Sequence, residues 1–483
     1  MDRKDAAVSG AQARSVAPQR PLSLAGALTF ALAQFPTSAV AIALLVYLPP
    51  HMTRDLGVPL AMFGATWGSV RLFDLFIDPF LGAVMDHTKT PLGRYRPWLL
   101  AGAPILMAGV YMLFMAPPGI GQLYLATWLL VLYLALSILM LSVPAWGATL
   151  ATSYNDRARI YGTLAAVGIL STVAFVLLPV VGGVLKKSDA WAVQAMGWAL
   201  IVFTPLLIGI SVWRTHERIN PSTGQQGVQL RDYLALVSKP DLLRCYAAQF
   251  LVTLGPGWMS SLFIFFSNDV MRFNAAAPSI LLLCYIAGGL AGAPLMAQLA
   301  TKIGKHRTLM VATVCFSLGL STALLPPKGM WFAAIPLNLW CGFMGASFEM
   351  VIRSMLADVA DEVRLEQGKE RLSLVFAINS VATKLATASA ILITYPLLEK
   401  VGYSAPLGVK NTASALTGLT AMFMGGPIVF VLLAGVVMIG WRMTAQRHAG
   451  VRAELDARDA LAALGEESPI VEDDVARAHG AAQ

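Results

Sequence analysis

The sequence predicts an all-helical membrane protein of about twelve transmembrane helices, arranged as two six-helix bundles with both termini in the cytoplasm. Three observations carry that reading. Of the 483 residues 57% are hydrophobic and only 13% are charged, with a mean hydropathy of +0.66, whereas soluble domains carry about 25% charged residues. The apolar residues fall into runs of roughly the 20 needed to span a bilayer. The loops between those runs are basic on every second turn of the chain, the bias that orients membrane proteins.

The first six runs cover about 22–49, 60–85, 97–117, 121–151, 161–185 and 190–213. They resume at about 241–268, 278–301, 307–326, 330–357, 372–398 and 416–443. Several exceed the length of a straight span, which fits tilted or bent helices. The basic loops carry Arg94 and Arg96, then Arg157 and Arg159, the stretch from Arg214 to Arg244, then Lys302, Lys305 and Arg307, and Arg364, Lys369 and Arg371. Arg3, Lys4, Arg14 and Arg20 precede the first run, and Arg442, Arg447 and Arg452 follow the last. The opposite loops are short or sparsely charged, so the termini are expected inside and the spans even in number. The chain divides into an N-terminal tail (1–21), a first bundle (22–213), a polar linker (214–240), a second bundle (241–446) and a polar tail (447–483). The tail is read as at most a short helix without a part in transport.

Other readings of the composition fall away. The net charge of +8 resides largely in loops and tails, where membrane orientation accounts for it better than nucleic acid does. Cys245, Cys284, Cys315 and Cys341 show no paired spacing and read as small core residues. The first residues lack the apolar centre of a cleavable signal. There is no GxxxxGK[ST] phosphate loop. His51, His87, His216, His306, His448 and His479 are scattered without metal-ligand spacing. Neither an enzyme nor a cofactor is expected.

The residues that bear on function lie in the second run. Arg71, Asp74 and Asp78 are ionisable groups inside an apolar stretch, and each such charge costs about 2.5–3.5 kcal/mol at the centre of a bilayer. Asp74 and Asp78 are i and i+4, so their carboxylates project from one helical face. Two carboxylates in one cavity repel unless a cation lies between them or one is protonated. Sodium or a proton as coupling ion is therefore the expectation, with Asp74 and Asp78 the sodium ligands in the first case and Ser137 or Ser142 a further oxygen. Lys384 lies in the middle of the eleventh run and reads as a counter-ion or coupling residue. Glu349 and Arg353, i and i+4 in the tenth, read either as an internal ion pair or as a solute ligand. Gly255–Pro256–Gly257 predicts a break or hinge in the seventh. A faint repeat relates Pro79 to Arg94 with Gly292 to Arg307, since small residues and a proline precede a basic turn in both.

Arg71–x–x–Asp74–x–x–x–Asp78–Pro79, followed by Gly82, Asp86, Thr88, Gly93, Arg94 and Arg96–Pro97–Trp98, resembles the signature of the glycoside–pentoside–hexuronide:cation symporters, a branch of the major facilitator superfamily. The resemblance continues in Val143–Trp146, Asp156–Arg157, Ala357–Glu362 and the stretch around Lys384. It implies alternating access and cation-coupled uptake of a sugar or glycoside. Asp74 and Asp78 correspond to the family's cation-site carboxylates and Lys384 to the lysine that points towards them. Asp86, Arg94 and Arg96 correspond to a cytoplasmic gate that latches the outward-facing state. Gln34 and Ser142 stand where sugar-binding aspartates are expected, Ala165 where an arginine is, and Leu139 where a sodium-assisting threonine is. Gln34, Ser142, Trp146 and Glu349 are thus the candidate solute ligands, and a galactoside held by two carboxylates is not expected. The same fold carrying a lysolipid or other amphiphile, or acting as a proton-coupled exporter, is the alternative. The implied setting is a monomer without an obligate protein partner, in the lipid bilayer of a bacterial inner membrane.

Overall fold

Proline placement decides the shape of the first span. The computed structural model describes residues 23–88, 90–150, 154–217, 236, 238–368 and 371–463. Helix α1 (Leu24–Ala31) begins on Ser23, whose Oγ accepts from the Gly26 amide at 3.1 Å. Helix α2 (Gln34–Ile42) leads through a π-turn at Ala43–Tyr47 and a second at His51–Asp55. Pro49 and Pro50 lack the N–H that would serve the carbonyls four residues back, and the backbone widens around them.

The remaining spans are α3 (Leu60–His87), α4 (Arg96–Phe114), α5 (Gln122–Leu150), α6 (Tyr154–Val184), α7 (Asp189–Arg214), α8 (Pro240–Phe265), α9 (Ala277–Ile303), α10 (Lys305–Ser321), α11 (Ile335–Gln367), α12 (Leu372–Lys400) and α13 (Ala413–Val437). Among the described residues, 11 helices are long and apolar enough to cross a membrane. Helix α10, with 17 residues, adds the twelfth pass at the lower limit of spanning length. Most of the linker, 218–235 and 237, lies outside the described residues.

One expectation is corrected. Gly255–Pro256–Gly257 does not break its helix: α8 runs through Pro256, and the glycines instead admit neighbours, Gly255 facing Val431 and Pro427 of α13 and Gly257 facing Ala390 of α12. The C-terminal tail does contain the short helix expected of it. Helix α14 (Ala445–Ala463) docks on the end of α11, with Arg447 on Glu362 at 2.6 Å, His448 on Asp361 at 3.0 Å and Arg364 on Asp459 at 2.9 Å.

Internal repetition shows in the backbone. Helix α8 ends in a π-turn at Phe266–Val270, where Met271 N donates to Phe266 O at 3.0 Å and Phe273 N to Ser267 O at 3.0 Å. The first span ends the same way: Leu56 N donates to His51 O at 3.2 Å and Val58 N to Met52 O at 3.0 Å. Gly57 and Arg272 occupy matching positions, both left-handed, with φ of 71° and 55°. The basic turns of the predicted repeat also match, since Gly93 and Gly304 have φ of 111° and 92°.

In that register Arg54 of the first half matches Asp269 of the second, and the two join the halves at 3.1 Å. Asp269 also accepts from the Tyr403 hydroxyl, a phenol that burial and then the Asp269 carboxylate push far above its usual range. Tyr47 and Ser279 share a hydrogen bond of 2.9 Å, and Glu399 of α12 accepts from the Ala61 amide of α3 at 2.6 Å, an anion at a helix N-terminus. Gly64 and Gly68 let α3 lie against Ile391, Leu392 and Tyr395 of α12. These bonds close the end of the molecule opposite the tails.

Within the second half, α9 and α11 meet through glycine. A Cβ at Gly342 would lie 1.9 Å from Tyr285 O, and one at Gly292 2.4 Å from Phe343 O, the close approach that small residues permit between membrane helices. Gly342→Val is expected to abolish recovery of folded protein in detergent, because backbone rather than a side chain obstructs it; normal yield and melting temperature would refute that contact. Asp269→Arg is expected to lower the melting temperature and Arg54→Asp with Asp269→Arg to restore it, with a coupling energy of about 1–2 kcal/mol in the double-mutant cycle.

Candidate functional site

At mid-depth α3 brings Arg71, Asp74 and Asp78 against α5 and α12. Asp74 is 1% exposed, yet its carboxylate is fully engaged. Ser137 Oγ of α5 donates to Oδ1 at 2.8 Å; Lys384 Nζ and Arg71 Nη1 donate to Oδ2 at 2.8 and 3.3 Å. Lys384 Nζ also pairs with Asp78 Oδ2. Asp78 Oδ1 is buried and makes no hydrogen bond to the described residues. One lysine from the second half therefore sits on both carboxylates of the first.

Arg71 is held from three sides. Besides Asp74, its Nη2 donates to Thr387 Oγ1 at 3.1 Å, and its guanidinium lies 4.6 Å from the centre of the Tyr133 ring, an attraction that strengthens when desolvated. Tyr133 in turn meets Trp67 edge-on at 5.6 Å. Sequence reasoning missed Thr387 and Tyr133, which carry no charge and look like ordinary span residues. Ser137 it had named, with Ser142, only as a possible oxygen donor.

The formal charges of Arg71 and Lys384 balance those of Asp74 and Asp78, and a cation entering the layer would compete with these two cationic side chains for the same oxygens. The oxygens able to receive it are those of Asp74 and Asp78, with Ser137 Oγ and Thr387 Oγ1 beside them. They are hard oxygen donors of the kind an alkali cation or a proton requires.

Between the halves, towards the tails, lies a cavity of about 640 Å³, to which Gln34, Ser38, Tyr161, Thr172 and Arg353 contribute polar groups. Gln34 meets the expectation of a cavity residue, its Nε2 on Ser38 Oγ at 3.2 Å. Ser142 and Trp146 do not. Both are fully buried inside the first half: Trp146 meets Phe30 edge-on at 5.0 Å, and Ser142 Oγ lies 3.7 Å from Met85 Sδ. The Val143–Trp146 segment turns into the α1–α3–α5 packing because Gly147 brings α5 to within van der Waals reach of Phe30. Glu349 pairs with Arg353 at 2.7 Å, and both are well exposed.

The expected gate loop is organised by a residue that sequence reasoning overlooked. Glu217, just past α7, accepts from the amides of Arg94 and Tyr95 at 2.9 Å each and of Arg96 at 3.4 Å. It thereby caps α4 with a negative charge. Gly93 is favoured there by its φ of 111°, a backbone conformation that L side chains rarely adopt. Arg96 Nη2 donates to Val212 O at 2.5 Å and Nη1 to Leu92 O at 3.1 Å. These bonds all stay within the first half. The side chain of Asp86 lies outside the described residues.

Removing one partner of a buried ion pair costs about 3–5 kcal/mol. Lys384→Ala is expected to lower the melting temperature in detergent by several degrees, and Asp78→Asn added to it to recover part of the loss. Unchanged stability in Lys384→Ala would show that the lysine does not neutralise the pair.

Comparison with known proteins agrees with this arrangement. Residues 29–445 match the family described as MFS/sugar transport protein. The chain is 24% identical to an isoprimeverose transporter of Lactiplantibacillus pentosus over 82% of its length and 84% of the relative's. It is also 24% identical to a glucuronide carrier protein homolog of Escherichia coli (strain K12), covering 86% and 91%. Among solved structures it superposes on the nucleoside transporter NupG with a TM-score of 0.64 at 12% identity, covering 86% of this chain and 100% of that one. That last likeness speaks for the fold alone. By the family match, the twelve passes and the charged layer at mid-depth, the chain belongs to the MFS/sugar transport family, in the glycoside–pentoside–hexuronide symporter branch, and is a multi-pass membrane carrier rather than an enzyme.

Proposed function

We propose that the chain is a monomeric symporter that uses a sodium or proton gradient to take up a sugar or glycoside by alternating access, with both tails in the cytoplasm of a bacterial inner membrane. The observation that carries this reading is Lys384 of one half bound to Asp74 and Asp78 of the other. A cation and Lys384 compete for the same carboxylates. Cation binding therefore releases the lysine and with it one tie between the halves, which biases the equilibrium between their arrangements.

With the tails inside, the arrangement described is the inward-facing one. The outer end is held by Arg54–Asp269, Tyr47–Ser279 and Ala61–Glu399, and the cavity opens towards the cytoplasm. The basic loop at Arg94 and Arg96 is then the released half of a cytoplasmic gate. Isoprimeverose, raffinose and lactose carriers among the relatives support a sugar-type solute. The cavity wall joins Gln34, Ser38, Thr172 and Arg353, which can meet hydroxyls, to apolar Leu164, Ile169 and Ile286, which can meet a sugar ring face or an acyl chain, so the sugar-type reading over the amphiphile rests on the relatives.

Proteoliposomes with an imposed sodium or pH gradient test this. Wild-type protein is expected to accumulate a glycoside under one of the two gradients. Asp78→Asn is expected to lose accumulation at least tenfold while retaining downhill exchange. Equal accumulation by wild type and variant would remove the carboxylate pair from coupling.

A further inference from the structure

We infer that Glu349 and Arg353 form the charged half of the solute site, and that their pairing selects a neutral, hydroxyl-rich solute over an anionic one. This rests on the symporter reading above and names its substrate class.

Among the described residues, the first half presents no carboxylate on its wall of the cavity. Gln34 is uncharged and Ser142 is buried away from it. Among the described residues that line the cavity Arg353 is the sole charged one, it belongs to the second half, and Glu349 enters the site through its pair with Arg353 rather than as a lining residue. Glu349 is the first charged residue of α11, fourteen positions into an apolar helix. Charges at that depth are costly and mark solute or ion paths.

The geometry of the pair favours hydroxyls. Arg353 Nε donates to Glu349 Oε1 at 2.8 Å, and Nη2 lies 2.7 Å from the same oxygen. Both side chains are well exposed, so the pair offers carboxylate acceptors and guanidinium donors next to one another. A sugar diol both donates and accepts, and meets such a set without a net charge being brought in. A solute carboxylate seeks an uncompensated guanidinium. Here Glu349 already neutralises it at the Nε/Nη2 edge, and a second carboxylate on the remaining edge would face Glu349 as a like charge. Such an element excludes as well as attracts, which is how discrimination between similar ligands is built. Gln34 and Ser38 stand on the opposite wall, from the first half. A solute between them and Arg353 touches both halves, so its binding acts directly on their relative position.

Matched methyl glycosides that differ only at C6, the hexoside and its uronide in the gluco and galacto series, are the probes. Binding is read by thermal shift of purified protein in the presence of sodium at fixed pH. Wild type is expected to bind the neutral member of a pair at least tenfold more tightly. Glu349→Gln frees the guanidinium and is expected to shift that ratio towards the uronide by tenfold or more. Glu349→Asp is expected to keep the wild-type preference, which separates charge from folding. A uronide preference in wild type, or an unchanged ratio in a folded Glu349→Gln, overturns the inference while leaving the symporter reading intact. Failure of every probe, and of accumulation under any gradient, overturns both.

Discussion

Everything in this molecule depends on keeping two carboxylates at mid-membrane. Asp74 and Asp78 cannot remain ionised in hydrocarbon without partners, and the partners come from three other places in the chain: Arg71 one turn away, Ser137 on α5 and Lys384 on α12. Removing any one of them leaves a charge whose burial the bilayer penalises. The layer therefore ties α3 to both halves. In the proposed mechanism the tie is conditional, because a coupling cation would substitute for the lysine.

The rest of the architecture is arranged around that conditional tie. At the end opposite the tails the halves are joined by a pair at equivalent positions of an internal repeat, Arg54 and Asp269, each displayed by a π-turn with the same hydrogen-bond pattern. Near-symmetric halves that present opposite charges at matching sites close on one another without further machinery. Towards the tails, Glu217 holds the α3–α4 loop to its own half, and α14 is held to α11 by Arg447, His448 and Asp459. Each half thus moves as a unit, and the named bonds that must break for the halves to rock are few. The solute cavity lies where the two units part.

Gln34 and Ser142, the positions where family carboxylates are expected, have different fates. Gln34 remains on the cavity wall, whereas Ser142 and Trp146 are folded into the first half. In the proposed reading the charged part of the solute site lies instead on the second half, at Arg353 with Glu349. The carboxylate layer lies on α3 and α12, and the cavity is lined from α2, α6 and α11, so the two are built on largely separate helices.

The sequence by itself determined what the bilayer enforces locally. Span lengths, alternating basic loops and the i, i+4 spacing of Asp74 and Asp78 are properties of a single helix or loop in lipid, so they are legible residue by residue. Lys384 was legible for the same reason, as a charge in an apolar run. Which side chains face one another was not. That depends on the rotation of each helix about its axis, which is set by contacts such as Gly147 on Phe30 and Gly68 on Leu392. The resemblance pointed Lys384 towards the carboxylates; only the tertiary structure gave its contacts with both, brought Thr387 and Tyr133 to Arg71, and joined Arg54 to Asp269. It alone turned Ser142 and Trp146 inward and kept α8 continuous through Pro256, because interhelical packing can satisfy a backbone that a proline alone would interrupt.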